Sequence, residues 1–342
     1  THTRWYSSAA SDVYKRQAHP RALVYEPQPR GPHAARSAVA AGYRRWGAEV
    51  DPDRVVLTAS TSEAYSFLFK TLTEAGDAVF FPSPSYPLFA SLARLDGVHQ
   101  LSYSLEPEAG WRVDFAPLQQ APGSARAVVV VHPNNPGGSH VHPEDAARLI
   151  RLCGRRGWAL IADEVFLPYS HRDLPGADRS FVATTDCLCF TLGGLSKSIG
   201  LPQLKLAWIV ANGPRDQLHG VMERLDYVAD TYLSVSTPVA EAAATIMGRA
   251  EAVHQAILDR CARNLHNLRQ RCTAAPTVTL YEPAGGWSAV LRVPTVVDEE
   301  TLVLELLREH GVAVYPGFFF DFPCEGYLVL SLLPEKEVFD EG

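Results

Sequence analysis

Six continuous apolar runs mark the first two thirds of the chain, at residues 55–57, 78–81, 127–131, 158–162, 187–192 and 206–210. None alternates with polar positions. A strand with one wet face alternates, whereas a strand covered on both faces does not, so these runs predict buried strands. Helical spacing fills most of the gaps between them, for example at 62–74, 88–95 and 143–154. Strand and helix in alternation predict an α/β fold, three layers deep, around a mostly parallel sheet. One link departs from this. The segment between Leu192 and Leu206 is too short for a comfortable helical crossover, so the strand at 206–210 is expected to run antiparallel.

Beyond Val210 the pattern changes. Long helical stretches are expected at 216–230 and 237–271, then short strands near 278–281, 288–292, 312–314 and 327–332, with one helix at 299–310. This predicts a smaller α+β domain. A length of 342 residues exceeds what one hydrophobic core serves, which agrees with two domains. Residues 1–17 lack periodicity and lack the apolar centre of a signal peptide, and are expected to be poorly structured or foreign to the fold.

Composition removes several classes of function. With 46% apolar and 20% charged residues the composition is an ordinary globular one, and a disordered chain is not expected. A net charge of -7 argues against a nucleic-acid surface. No apolar run reaches membrane-spanning length. The cysteines at 153, 187, 189, 261, 272 and 324 form no CxxC pair, so neither a disulfide framework nor a zinc site is expected, and a reducing cytoplasm is.

The unusual polar residues cluster just after the predicted strands: Thr58-Ala-Ser60-Thr61-Ser62, Ser85-Tyr86-Pro87, His132 to Gly138, Asp163-Glu164, and Gly193-Gly194-Leu195-Ser196-Lys197. In a parallel sheet these ends share one edge, where open α/β sheets bind ligands. Ser60, Thr61 and Ser62 open a helix, whose free N–H groups and dipole favour a phosphate, although plain capping explains them as well. Lys197 follows an apolar strand. Partly desolvated, such a lysine has a lowered pKa and can form an imine, whereas a surface lysine is the commoner case. Asp163 ends an apolar strand and needs a positive or hydrogen-bonding partner, which a pyridinium or an ordinary salt bridge would supply. Tyr86 offers a face for stacking, and Asn135 an amide donor or merely an Asn-Pro turn.

Three pieces in this order carry a resemblance: His-Pro-Asn-Asn-Pro-Gly-Gly at 132–138, Ala-Asp-Glu-Val at 162–165 and Gly-Leu-Ser-Lys-Ser-Ile-Gly-Leu-Pro at 194–202. From about Tyr25 to Leu333 the chain resembles the class I/II aminotransferases, enzymes of fold type I that use pyridoxal 5'-phosphate (PLP). The resemblance implies a large PLP-binding domain at 33–247 and a small domain made of 18–32 and 248–342. It also implies roles. Lys197 would hold PLP as a Schiff base and carry the proton at Cα. Asp163 would keep the pyridine nitrogen protonated. Asn135 would bond the ring hydroxyl, Tyr86 would stack on the ring, and Ser60, Thr61, Ser62 and Lys205 would take the phosphate. Tyr25 would reach the phosphate of a neighbouring subunit, implying a homodimer with shared sites. The activity implied is transfer of an amino group between an amino acid and a 2-oxo acid. A PLP-dependent C–S lyase and a degenerate PLP-binding protein are the alternatives.

The chain departs from the family pattern at four places. Lys205 stands where arginine is usual, giving a point charge without the bidentate fork. Gly194 replaces a serine. Phe166 replaces a tyrosine, so the ring hydroxyl loses a donor. Val329 stands where the arginine for the substrate carboxylate is usual, and Arg292 and Arg30 are the candidates to replace it. Trp287, Phe318, Phe319 and Phe320 are open to a pocket or to the core. Both ends are short for the family, so a fragment is expected. With Asn135 acting alone at the ring hydroxyl, the imine formed on Lys197 should have a raised pKa. A pH titration of the cofactor's visible absorption checks this, and a midpoint equal to that of relatives with the tyrosine would refute it.

Overall fold

The protein is described by a computed structural model that covers residues 20–45, 47–171 and 180–342. The segment 1–17 lies outside the described residues. The larger sheet has eight strands in the order β1-β8-β7-β6-β5-β2-β3-β4. These are β1 (Val55–Thr58), β2 (Ala78–Ser83), β3 (His99–Glu106), β4 (Arg112–Val113), β5 (Ala125–Val131), β6 (Ala159–Asp163), β7 (Cys189–Gly194) and β8 (Ala207–Asn212). β3, β2, β5, β6 and β7 pair in parallel. β8 runs antiparallel to both β7 and β1, as expected, so β1 points the same way as β7. The ends of β1, β2, β5, β6 and β7 therefore fall on one edge.

Three layers follow from which strand residues face which helices. Val56, Val79, Phe81, Val129, Ile161, Phe190 and Ile209 pack under the helices Thr61–Leu72 and Arg215–Tyr232. On the opposite face Val128, Val130 and Leu160 meet Leu149, Leu152 and Cys153 of the helix Pro143–Arg156. Further along, Val55, Leu57 and Val210 meet the helices His33–Arg44 and Thr237–Met247. The sequence sets the limits of the helix Pro143–Arg156. Proline opens it, Glu144 and Asp145 sit in its first turn, Arg155 and Arg156 in its last, and Gly157 closes it in a left-handed conformation.

The smaller sheet, β11-β12-β10-β9, is antiparallel throughout. Its strands are β9 (Thr279–Tyr281), β10 (Ser288–Arg292), β11 (Tyr315–Pro316) and β12 (Tyr327–Ser331). It has its own core, in which Ala289, Leu291, Leu328 and Leu332 pack with Cys261, Leu265 and Leu268 of the helix Ala250–Ala274. Two sequence expectations are corrected. The stretch 237–271 is two helices, broken at Gly248 and Arg249. The strand expected at 312–314 lies at Tyr315–Pro316, paired with β12. Before β1, the Arg30 carbonyl accepts from Leu57 N–H at 3.0 Å.

Main-chain bonds tie the segment that leads into the smaller sheet to loops of the larger one, beside the predicted site. Ala284 N–H donates to Gly138 O at 2.9 Å, Gly286 N–H to Tyr169 O at 3.0 Å, and His171 N–H to Ala284 O at 2.8 Å. Gly138 has φ +67°, and a Cβ there would stand 2.5 Å from Pro283 Cβ and 2.6 Å from Gly285 O. Gly138→Ala combines a left-handed backbone with a clash against main chain. It should lower stability by about 2 kcal/mol, read as the shift in a urea unfolding midpoint, and a change within error would contradict this account of the domain contact.

Candidate active site

Lys197 is positioned by the short return between β7 and β8. The strand ends at Gly194, a single helical turn Leu195–Ser198 follows, and the chain comes back as β8. The two strands approach closely here. A Cβ on Gly194 would lie 2.9 Å from Ala207 Cβ, and one on Gly193 would lie 2.6 Å from Trp208 Nε1. This close approach gives a physical reason for glycine in place of the family's serine at 194. Tyr169 fixes the turn by donating its hydroxyl to Lys197 O at 2.7 Å and Ser198 O at 3.2 Å. The Lys197 amine is largely withdrawn from water. Burial pushes its pKa below the ordinary lysine value, and the charge of Asp163 opposes that shift.

Asp163 ends β6 and is 6% exposed. It accepts from Tyr65 Oη at 3.0 Å and from Val165 N–H at 3.2 Å. Among the described residues no cation forms an ion pair with it. Burial pushes its pKa up to about 6, against the Val165 and Tyr65 hydrogen bonds and the Lys197 charge. Its neighbour Glu164 is also buried, accepting from Ser180 Oγ and Phe181 N–H, each at 2.7 Å. Burial and then the charge of Asp163 push Glu164 to about 8. The two adjacent carboxyls thus separate, and near neutral pH Asp163 is the charged one. A buried carboxylate with neutral donors only is matched by the protonated ring nitrogen of a pyridoxal cofactor, so this residue fits the group.

The other predicted cofactor residues fall on the same edge. Ser60 caps the helix Thr61–Leu72, its Oγ accepting from Glu63 N–H at 3.1 Å. Glu63 reaches back to Ala59 N–H at 2.6 Å. The N–H groups of Thr61 and Ser62 head the helix with no carbonyl one turn before them, which suits a phosphate. Ser60 is thus both cap and candidate phosphate ligand, so the two readings of this segment coincide. Tyr86 is 37% exposed, and burial followed by the Asp163 charge raises its pKa. Asn135 is half-buried and its side chain makes no hydrogen bond within the described chain. Asn134 beside it is the structural residue, buried, donating to Pro84 O at 3.1 Å and accepting from Ser85 Oγ at 3.1 Å. Lys205 is exposed and left-handed, with φ +53°. Tyr25 is 81% exposed.

The two arginines weighed for the substrate carboxylate are not brought to the site. Arg30 is held by Asp226, with Nε 2.6 Å from Oδ1, and it also donates to Asp53 O before β1, at the opposite edge of the sheet. Arg292 lies over the Tyr327 ring at 4.4 Å and donates to Glu325 O. Arg292 is also five residues along from Trp287, roughly 17 Å at the rise of a strand. Val329 is 2% exposed, in a core shared with Trp111, Phe322 and Tyr327. Phe320 is likewise core, while Phe318 and Phe319 are half-exposed on the small domain. Trp287 is the member of that group which reaches the site, its ring centroid 5.4 Å from Lys197 Nζ. Tyr65 was missed in the sequence. It sits four residues after Thr61 at helical spacing, so one helix presents both the phosphate end and the partner of Asp163, and only that spacing could have revealed it.

A family model described as aminotransferase class I and II matches residues 8–338. The alanine aminotransferase of Mycobacterium tuberculosis is 30% identical over 295 residues, which is 83% of this chain and 68% of that protein. The glutamate-pyruvate aminotransferase AlaA of Haemophilus influenzae is 25% identical over 325 residues, 92% of this chain and 79% of its own. Among solved structures, the alanine aminotransferase from Pyrococcus furiosus has a TM-score of 0.88 at 22% identity, covering 98% of this chain and 85% of that one, a likeness of fold. The family match spans nearly the whole sequence and includes every segment that converges on Lys197, so the chain belongs to aminotransferase class I and II and is a PLP-dependent transaminase acting between an amino acid and a 2-oxo acid.

Proposed function

We propose that Lys197 is the residue that binds PLP covalently and carries the proton, and that the amino donor is a small amino acid of the alanine type, with pyruvate as its 2-oxo product. The observation that carries the first half is the desolvated Lys197 amine on the same sheet edge as the buried Asp163. The names of the relatives, alanine aminotransferase and glutamate-pyruvate aminotransferase, support the second. So do the rings of Phe166 and Trp287 beside Nζ, which leave an apolar lining on that side.

PLP, when bound, supplies an electron sink for the charge that develops at the substrate Cα. The chain's own residues supply the rest. Burial lowers the Lys197 pKa, so more of the amine is uncharged near neutral pH and able to attack an aldehyde or accept a proton. Asp163, ionised beside a neutral Glu164, holds a proton on the ring nitrogen. Tyr65 orients that carboxylate through Oδ2. Asn135 would donate to the ring oxygen, and Tyr86 would stack on the ring. Thr61 and Ser62 N–H groups, the hydroxyls of Ser60, Thr61 and Ser62, and the Lys205 side chain would receive the phosphate. Tyr25, with exposed Leu23 and Val24, faces a second copy of the chain in a homodimer. No helix among the described residues is long and apolar enough to cross a membrane, and six free cysteines, four of them buried, suit a cytoplasmic enzyme.

Borohydride reduction of the PLP-loaded protein should fix the label on the peptide that contains Lys197, and Lys197→Ala should lower the transamination rate on the order of 10³-fold. Label on another lysine would overturn the assignment. Alanine should convert the cofactor's absorption to that of its amine form and pyruvate should reverse it, whereas release of ammonia with pyruvate would point to a lyase.

Asp163 also gives a pH signature in protein freed of cofactor. Its folded pKa of about 6 lies above the ordinary 3.8, so the folded state binds the extra proton and stability falls as pH rises from about 4 through 6. Asp163→Asn, a neutral mimic, should remove that loss. The variant should be more stable than the parent by up to about 2–3 kcal/mol above pH 7 and equal to it below pH 4, while its affinity for PLP drops. Parallel pH–stability curves for the two proteins would contradict the assignment.

A further inference from the structure

Two aromatic faces flank the Lys197 amine. The centroid of Trp287 lies 5.4 Å from Nζ and that of Phe166 lies 5.7 Å from it. The rings come from different domains. Phe166 follows β6 of the large sheet and Trp287 precedes β10 of the small one. They brace each other edge to face, with centroids 5.4 Å apart and planes at 78°. Tyr169 packs on the same indole at 5.0 Å, and its hydroxyl is already committed to the Lys197 turn. The main chain of Trp287 is tied into the small sheet, its carbonyl accepting from Leu332 N–H at 2.7 Å.

The indole N–H is the informative detail. It is sealed from solvent and meets no acceptor among the described residues. A buried, unpaired donor is a cost, and phenylalanine at 287 would avoid it. Tryptophan here is therefore explained by its face rather than its N–H, and indole binds cations more strongly than the other aromatic side chains. Phe166 contributes a second face without a hydroxyl to compete for the amine.

We infer that Trp287 and Phe166 form an aromatic seat that holds the Lys197 ammonium whenever Nζ is not joined to the cofactor. This rests on the proposed role of Lys197, and it makes the two rings positioning residues. A transaminase lysine must leave the cofactor, carry a proton and return. Its four-carbon arm, once free, has many rotamers, and a fixed seat limits that search. The groups around the seat are few. Asp163 at the end of β6 is the charge felt by the amine. Tyr86 after β2 feels the same carboxylate. Tyr65 on the helix Thr61–Leu72 bonds that carboxylate. His254 on the helix Ala250–Ala274 packs behind Tyr169 and is kept neutral by burial, its pKa near 4.

The test uses the full chain loaded with pyridoxamine 5'-phosphate, which has no aldehyde and leaves Nζ free. The ionisation of Lys197 is read from the pH dependence of its acylation by acetic anhydride, followed on the Lys197 peptide. A seat stabilises the charged amine, so Trp287→Leu should lower its pKa by about half a unit to one unit, and Trp287→Phe should recover part of the shift. Phe166→Leu should act in the same direction. In steady state, Trp287→Leu should cut kcat about tenfold with KM nearly constant. Without any substitution, indole fluorescence of the same complex should titrate at the Lys197 midpoint, because the cation lies over the ring. Unchanged Lys197 titration in the leucine variants overturns the seat. If those variants do not fold, fluorescence blind to the Lys197 titration overturns it. Neither outcome touches the assignment of Lys197, which stands or falls on the borohydride label.

Discussion

Asp163 is carried to the end of an all-buried strand and left there with two neutral donors and, among the described residues, no cation paired with it. A carboxylate in that situation costs free energy until something positive arrives. Much of the large domain is organised around this unpaired charge. β6 is central in the sheet, and the strands beside it deliver the Asn135 turn and the Lys197 turn on either side. The helix Thr61–Leu72 crosses beneath and contributes both Tyr65 and the phosphate end. Glu164, one residue on, is kept neutral by its own burial and by Asp163, so the site holds one negative charge rather than two.

Much of this was legible in the sequence, for a physical reason. Strands covered on both faces have to be continuously apolar, so β1, β2, β5, β6, β7 and β8 showed themselves, and the polar residues after them showed the edge. β3 and β4 did not, because β3 (His99–Glu106), bordered on its outer side only by the two residues of β4, has an exposed face and reads as a mixed polar segment. The antiparallel turn of β8 was legible from chain length alone. The break at Gly248 and Arg249 was not, because both helices carry good formers and the turn between them contains no proline.

The site divides in the same way. Lys197, Asp163, Asn135, Tyr86 and the Ser60–Ser62 segment are local to strand ends and could be read from order and spacing. Tyr65 and Trp287 reach the centre by packing across elements, so the sequence shows at most a helical spacing for the first and an aromatic residue of open placement for the second. The arginines are placed by contacts of the same kind. Charge type is visible in a sequence but direction is not, and the partners that turn Arg30 and Arg292 aside, Asp226 and the Glu325 carbonyl, are contributed by distant segments. Val329 is explained by its surroundings, since it fills an apolar core with Trp111 and Tyr327.

The strap that joins the domains has a mechanical consequence. Ala284 and Gly286 are bonded through main chain to Gly138 and Tyr169. Gly138 lies three residues beyond Asn135, and Tyr169 grips the Lys197 turn. Any swing of the small sheet relative to the large one therefore pulls on both turns together, and the amide and the amine travel as a pair.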